Sequence, residues 1–263
     1  MDIIIKSFNR PYYLDRCLLS INHHMSGVDA ITVLDDGTPL KFLDEIKRRH
    51  PRIEVRLSVN HARKAREIEA WPDRPECRDA KKSVVPWELW TEAVWRASEY
   101  FVLLEDDEWC VEGIDLRGLE RVVRVNHIDI VRLTQTQSPV FNPGKNNSIG
   151  AGVAVLHPWY LANRTTARLY WCFLRNKYKL ASALRRLGVS TQQWKLNAWA
   201  LYAVCGAIFR KAYWLHTCRD MKADINEKQQ LQNAAEWAVR HPDARFGITT
   251  VDKIRTTDRK SVV

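Results

Sequence analysis

Three carboxylates in succession, Glu105-Asp106-Asp107, follow directly on the apolar run Tyr100-Phe101-Val102-Leu103-Leu104. Side by side, such groups repel one another unless a cation neutralises them. A hard divalent ion held by oxygen ligands would do so. A second acidic pair, Asp35-Asp36 before Gly37, follows the run Ala30-Ile31-Thr32-Val33-Leu34. Carboxylates placed there can bind a metal, or accept hydrogen bonds from the N–H and O–H groups of a base or ribose. A third polar segment, Ser7-Phe8-Asn9-Arg10-Pro11, comes just after Ile3-Ile4-Ile5. It offers a loop backbone to a nucleotide and an arginine to phosphate. Each segment has a plainer alternative: a solvated turn, an Asp-Gly turn, a helix cap. Three such segments at the ends of three apolar runs are harder to set aside than one.

The elements that must position them follow from the pattern of apolar residues. Ile3–Ile5, 30–34, Ile53–Leu57 and Tyr100–Leu104 read as strands. Helices are expected between them. Pro11 opens one with Leu14, Cys17, Leu18 and Ile21 on a face; Leu40 to His50 makes another, with Phe42, Leu43 and Ile46 apolar; Pro86 starts a third, with Trp87, Trp90, Val94 and Ala97. Residues 60–85 are polar and carry no clear pattern. This alternation predicts an α/β fold with a mostly parallel central sheet flanked by helices. In such a sheet the carboxyl ends of the strands share one edge, which is where open α/β folds bind ligands. Beyond Trp109 the expected elements are a helix at Leu119–Val125, strands at Ile128–Leu133, Gly150–Leu156 and Gly206–Phe209, a mainly helical stretch from Tyr160 to Ala203, and a helix from Glu227 to His241. With no repeat and no clear linker, one domain over residues 1–263 is expected, with functional halves at 1–110 and 111–263.

Composition narrows the function classes. The 263 residues are 46% apolar, enough for a substantial core. The six cysteines show no Cys-x-x-Cys or Cys/His spacing, which argues against a disulfide framework or a zinc site and for a reducing, cytoplasmic setting. No signal peptide is read at the start. The uncharged run Leu196 to Phe209 falls short of the roughly 20 residues that span a bilayer. Net charge is +10, from 41 Lys and Arg against 31 Asp and Glu, and implies an anionic partner. The excess is concentrated between Arg164 and Lys195, a stretch with eight cations and no acid. A charged outer face of a helix pair is the plain reading of that stretch; peripheral contact with an anionic membrane is the sharper one. Trp194 and Trp199 could stack on a sugar, with burial as the plain alternative.

Three segments taken together carry a resemblance. Ile3 to Leu14, with Ser7-Phe8-Asn9-Arg10-Pro11, looks like the opening of family 2-type glycosyltransferases of the GT-A fold. Ile31 to Thr38 is similar to their second-strand Val-Asp-Asp-Gly-Ser/Thr segment, and Tyr100 to Asp107 resembles the strand ending in their Asp-x-Asp motif, here Glu-Asp-Asp. Order and spacing agree over residues 1 to about 110. The resemblance implies that Ser7, Phe8 and Asn9 cradle a nucleobase. It implies that Asp36, with Asp35 beside it, hydrogen-bonds the base or ribose. It implies further that Asp106 contacts ribose or donor sugar, and that Asp107, supported by Glu105, binds Mn²⁺ or Mg²⁺. The donor would be a UDP-, GDP- or dTDP-sugar, and the acceptor a hydroxyl on a glycan or lipid-linked glycan. Arg63, Lys64 and Arg66 could add positive charge, although a solvated helix face is the plainer account of them.

An inverting transferase also needs a general base. In the family this is often a carboxylate about twenty residues after a Gly-containing strand, and Gly206–Arg210 resembles that strand. Glu227 falls near the expected place but is followed by Lys228, so Asp220 and Asp224 stand as alternatives. Two other classes compete. A nucleotidyltransferase acting on sugar phosphates would show a Gly-rich basic loop after the first strand, which Ser7–Pro11 lacks. A basic nucleic-acid-binding protein would explain the charge and the tryptophans, but not acids at two strand ends, which repel phosphates.

Overall fold

The computed structural model describes residues 1–70, 84–134, 147–189, 191–222 and 225–256. The chain divides into two compact units. The first comprises residues 1–117, 221–225 and 253 onward, and the second residues 118–220 and 226–252.

In the first unit, β1 (Asp2–Ser7) leads through the Asn9–Arg10 turn to α1 (Pro11–His24). Pro11 occupies the first turn of α1, where its missing N–H has no helical partner to lose, and Leu14, Cys17, Leu18 and Ile21 form the buried face. There follow β2 (Met25–Ser26), β3 (Ile31–Asp35), α2 (Leu40–Arg49), β4 (Ile53–Leu57), α3 (His61–Glu69), α4 (Trp87–Arg96) and β5 (Tyr100–Glu105). Helix α3 lies inside the stretch that carries no clear sequence pattern. In α2, Leu43 and Ile46 are buried while Phe42 stays exposed under Lys41. Strands β4, β3, β1 and β5 form a sheet in that order, every pair parallel. Ile3, Ile5, Val33, Phe101, Val102 and Leu104 have no exposed surface, so the sheet is covered on both faces. Ser7 stands opposite Asp35, Asp35 opposite Leu57, and Lys6 opposite Glu105. The three polar segments therefore emerge on one edge. Two short pairings finish this unit: β6 (Glu108–Cys110) with the returning strand Ile254–Thr256, and β2 with β7 (Ile114–Asp115).

The second unit begins within α5 (Leu116–Val125) and contains β8 (Ile128–Arg132), β9 (Asn147–Gly150), β10 (Val153–Val155), α6 (Arg164–Leu174), α7 (Leu180–Arg186) and α8 (Gln192–Asn197). It continues with β11 (Ala207–Arg210), α9 (Lys211–Cys218), α10 (Glu227–Arg240) and β12 (Arg245–Thr249). Its strands run in the order β11-β8-β12-β10-β9, with β8 and β12 parallel and the other pairs antiparallel. The chain is thus α/β, with sheets flanked by helices.

Two differences from the sequence expectation have local causes. The single strand expected over 150–156 is a hairpin, because Gly150, Ala151 and Gly152 all take positive φ and reverse the chain. The helical stretch from Tyr160 is broken where Asn176, Tyr178 and Lys179 take left-handed φ and again at Gly188. An aromatic block holds the pieces together. Tyr160 and Tyr170 stack at 3.8 Å, and their hydroxyls donate to the carbonyls of Asn197 (2.7 Å) and Trp194 (2.5 Å). The ring of Trp194 lies 4.9 Å from Trp159 and 5.1 Å from Phe173, so its packing role is met within this block.

Candidate nucleotide site

The site is built where β1, β3 and β5 end. Its centre is Arg10. One guanidinium nitrogen lies 2.5 Å from Oδ1 of Asp106 and the other 2.5 Å from Oδ2 of Asp107, a fork across both carboxylates. Asp106 is wholly buried and its Oδ2 accepts from the Phe8 backbone N–H at 3.1 Å, which ties the loop after β1 to the end of β5. Burial pushes the Asp106 carboxyl up to about 6, outweighing the opposing pull of Arg10 and the Phe8 N–H. Burial alone would lower Arg10, but the charges of Asp106 and Asp107 carry it above its ordinary value. Glu105 accepts from Lys6 Nζ at 2.8 Å, and Lys6 also lies 4.9 Å from the Trp90 ring centre.

These contacts alter the electrostatic argument made from the sequence. The acids were expected to require a metal, yet the chain supplies Arg10 and Lys6 as their cations. Among the described residues, no group of three or more His, Cys, Asp or Glu side chains converges to cage a metal. The donor set nonetheless suits a hard ion held mainly by non-protein oxygens, as Mg²⁺ often is. Asp107, 18% exposed, and Glu105, 33% exposed, present carboxylates to solvent beside Arg10, and they are the residues that would hold such an ion.

A second cluster lies at the end of β3. Asp35, with no exposed surface, accepts from the N–H groups of Gly37 (3.0 Å) and Thr38 (2.7 Å) and from the Thr38 hydroxyl (2.6 Å), and His61 Nε2 lies 3.1 Å away. Burial alone would raise this carboxyl; the contacts from His61, Thr38 and Gly37 bring it below its ordinary value. Thr38 also accepts from the backbone N–H of Asn9, whose left-handed φ of 48° turns the loop. Asp36 accepts from the Ser58 hydroxyl at 2.5 Å and from Lys64 Nζ. Lys64 is only 1% exposed, so the solvated-face reading fails for it, while Arg63 pairs outward with Glu67. The Lys64 ammonium also donates to the Val84 carbonyl and sits 5.8 Å from the Phe8 ring. Ser58 and Val84 line a cavity of about 500 Å³, together with Asn60, Trp87 and Lys222. Its size falls in the usual range for small-molecule sites.

Ser7 to Arg10, Asp35, Asp36 and Glu105 to Asp107 are thus brought together in the first unit. Ser58, Lys6 and His61 join them without having been named as site residues from the sequence, and Lys64, named there only as one of three basic residues that could add charge, joins them as the buried partner of Asp36. Two of the candidates for a general base, Asp220 and Glu227, belong to the second unit. Asp220, in the second unit, accepts from Asn233 (3.0 Å) and Gln229 (3.3 Å). Glu227 is exposed in the first turn of α10, after the Asn226 cap. Asp224 lies outside the described residues. His216 lies 3.2 Å from the Asn233 carbonyl and packs edge-on to Trp237; His241 stacks on Trp237 at 3.7 Å.

No protein-family model matches the sequence, and no curated protein matches it. Among solved structures, S. aureus TarS 1-349 in complex with UDP aligns with a TM-score of 0.49 and 11% identity, over 95% of this chain and 57% of that one. A longer S. aureus TarS structure aligns with a TM-score of 0.46 and 11% identity, over 94% of this chain and 34% of that one. The chain spans little more than half of the TarS chains at most. Glucosyl-3-phosphoglycerate synthase from Mycobacterium tuberculosis, in complex with Mn²⁺ and UDP-glucose, gives 0.45 and 14% identity, over 99% of this chain and 72% of that one. These are distant likenesses of fold.

Proposed function

We propose that the protein is a GT-A-fold glycosyltransferase of the family 2 type. It would move a sugar from a nucleoside-diphosphate donor to a hydroxyl acceptor, with inversion and with Mn²⁺ or Mg²⁺. The observation that carries this reading is the convergence of Ser7–Arg10, Asp35–Asp36 and Glu105–Asp107 on one edge of a parallel sheet, with Arg10 forked across two of the acids.

Each residue has a role in that reading. The cavity beside Ser58 takes the base or ribose. Asp36 keeps acceptor capacity on both oxygens after its bonds to Ser58 and Lys64, because a carboxylate offers about four lone-pair sites. Arg10, 40% exposed, faces the diphosphate, and Asp107 with Glu105 holds the ion. The ion, when bound, supplies Lewis-acid stabilisation of the charge that grows on the leaving diphosphate. Asp106, wholly buried, holds Arg10 and the Phe8 N–H in place and acts on the donor through them. Glu227, Asp220 and Asp224 remain the candidates for the base.

The test is nucleotide release from UDP-, GDP- and dTDP-sugars in the presence of Mn²⁺. One base is expected to support hydrolysis or transfer, and Asp107→Asn is expected to lower the rate on the order of 100-fold. Absence of release from every donor, or an unchanged rate in the variant, would overturn the reading.

A further inference from the structure

The second unit contains a cavity of about 490 Å³ between α6, α7, α8 and the start of α10. Phe173, Leu196, Trp199 and Leu231 give it apolar walls, and Arg185, Lys195 and Lys228 stand at its rim against one acid, Glu227. All three rim cations are exposed. Half of its lining lies in the stretch 164–195, whose eight cations have no acid among them; one of these, Arg175, pairs with Glu236 of α10. The two ends of α7, which contributes Ala181 and Arg185 to the lining, carry apolar side chains in solvent. Tyr178 before it is 93% exposed; Leu187 and Val189 after it are 78% and 39% exposed, and Leu196 at the cavity itself is 37% exposed.

We infer that this cavity binds an anionic phospholipid at a membrane surface, one acyl chain against the apolar walls and the phosphate among Arg185, Lys195 and Lys228. Charge complementarity sets the headgroup: three cations to one carboxylate line the rim. The exposed aliphatic side chains choose lipid over nucleic acid, because single strands are held by exposed aromatic faces along a cationic groove. Here Tyr178 is the one strongly exposed aromatic beside α7, and Leu187, Val189 and Leu196 match an acyl phase. The cation excess adds attraction to an anionic bilayer that fades beyond a Debye length. No helix among the described residues is long and apolar enough to cross a membrane, so contact through this unit would be peripheral. The binding needs neither donor nor metal, although Glu227 on this rim is also one of the candidates for the base.

The experiment is co-sedimentation of the full chain with vesicles of phosphatidylglycerol and phosphatidylcholine in equal parts, against phosphatidylcholine alone, at low and high salt. Binding is expected to the mixed vesicles only and to weaken with salt. The triple variant Arg185→Glu, Lys195→Glu, Lys228→Glu, checked for an unchanged melting temperature, should bind about tenfold less or worse. Vesicles with acyl chains brominated near the headgroup should quench tryptophan fluorescence, and Trp199→Phe should reduce the quenched fraction. That conservative variant tests the cavity even if the charge reversals do not fold. No binding, equal binding to both vesicle types, equal quenching in Trp199→Phe, or binding to RNA in place of vesicles would each overturn the inference.

Discussion

Lys64 places a charge inside the protein and answers it with Asp36 and the Val84 carbonyl. Losing one partner of a buried pair leaves the other uncompensated, which costs more than the pair itself contributes. Lys64→Met is therefore expected to destabilise the protein by ~3–5 kcal/mol in urea denaturation, because Asp36 stays buried beside an apolar chain. A cost below ~1 kcal/mol would mean that Asp36 reaches water on its own. Nothing in the local sequence marks Lys64 apart from Arg63 and Arg66. The buried face of α3 is His61, Lys64, Ala65 and Ile68, the spacing of an ordinary helical stripe, but two of its members are polar, and an apolar pattern hides it. Asp36 was legible because it follows a strand; its partner was not, because its partner looks like surface.

At the scale of elements, the loop after β3 depends on Gly37. Its φ of +147° is one that side chains rarely adopt, and a Cβ there would lie 2.8 Å from Cβ of Lys64 and 3.2 Å from the Phe8 ring. Gly37→Ala should cost ~1–3 kcal/mol and weaken nucleotide binding together, since Lys64 and Phe8 must both move. Thermal melts and calorimetric titration with the preferred nucleotide check this; an unaltered affinity would separate the loop from the site. The strand–helix alternation of the first hundred residues was readable because its strands are buried on both faces and its helices carry apolar stripes. In the second unit the signals are weaker. Strand β12 is short and carries Gly247 between Phe246 and Ile248, with Val131 and Val153 packed over it, so small size there reflects close approach of neighbours and not a loop. Helix α9 buries Tyr213, Trp214, Thr217 and Cys218 on one face, but Thr217 is polar and the apolar Ala212 and Leu215 fall off that face, which leaves little period to read.

Across the whole molecule, long-range pairing decides what the acidic segments mean. Lys6 answers Glu105 because β1 pairs with β5 in a register that sets them opposite, and Arg10 reaches Asp106 and Asp107 from the turn that follows β1. Ninety-odd residues separate these partners along the chain, so the sequence showed three acids in need of a cation but not which cations the fold brings to them. The central claim is that this edge of the parallel sheet binds a nucleoside diphosphate with a divalent ion. Thermal shift of the full chain with UDP, GDP, dTDP and CMP compounds, each with and without Mn²⁺, tests it directly. One nucleotide should stabilise the protein by about 2.7 kcal/mol at roughly 100-fold its dissociation constant, more with Mn²⁺ than without, and Asp107→Asn should remove the metal-dependent part. No shift with any nucleotide in either condition, alongside salt-sensitive binding to DNA or RNA, would contradict it.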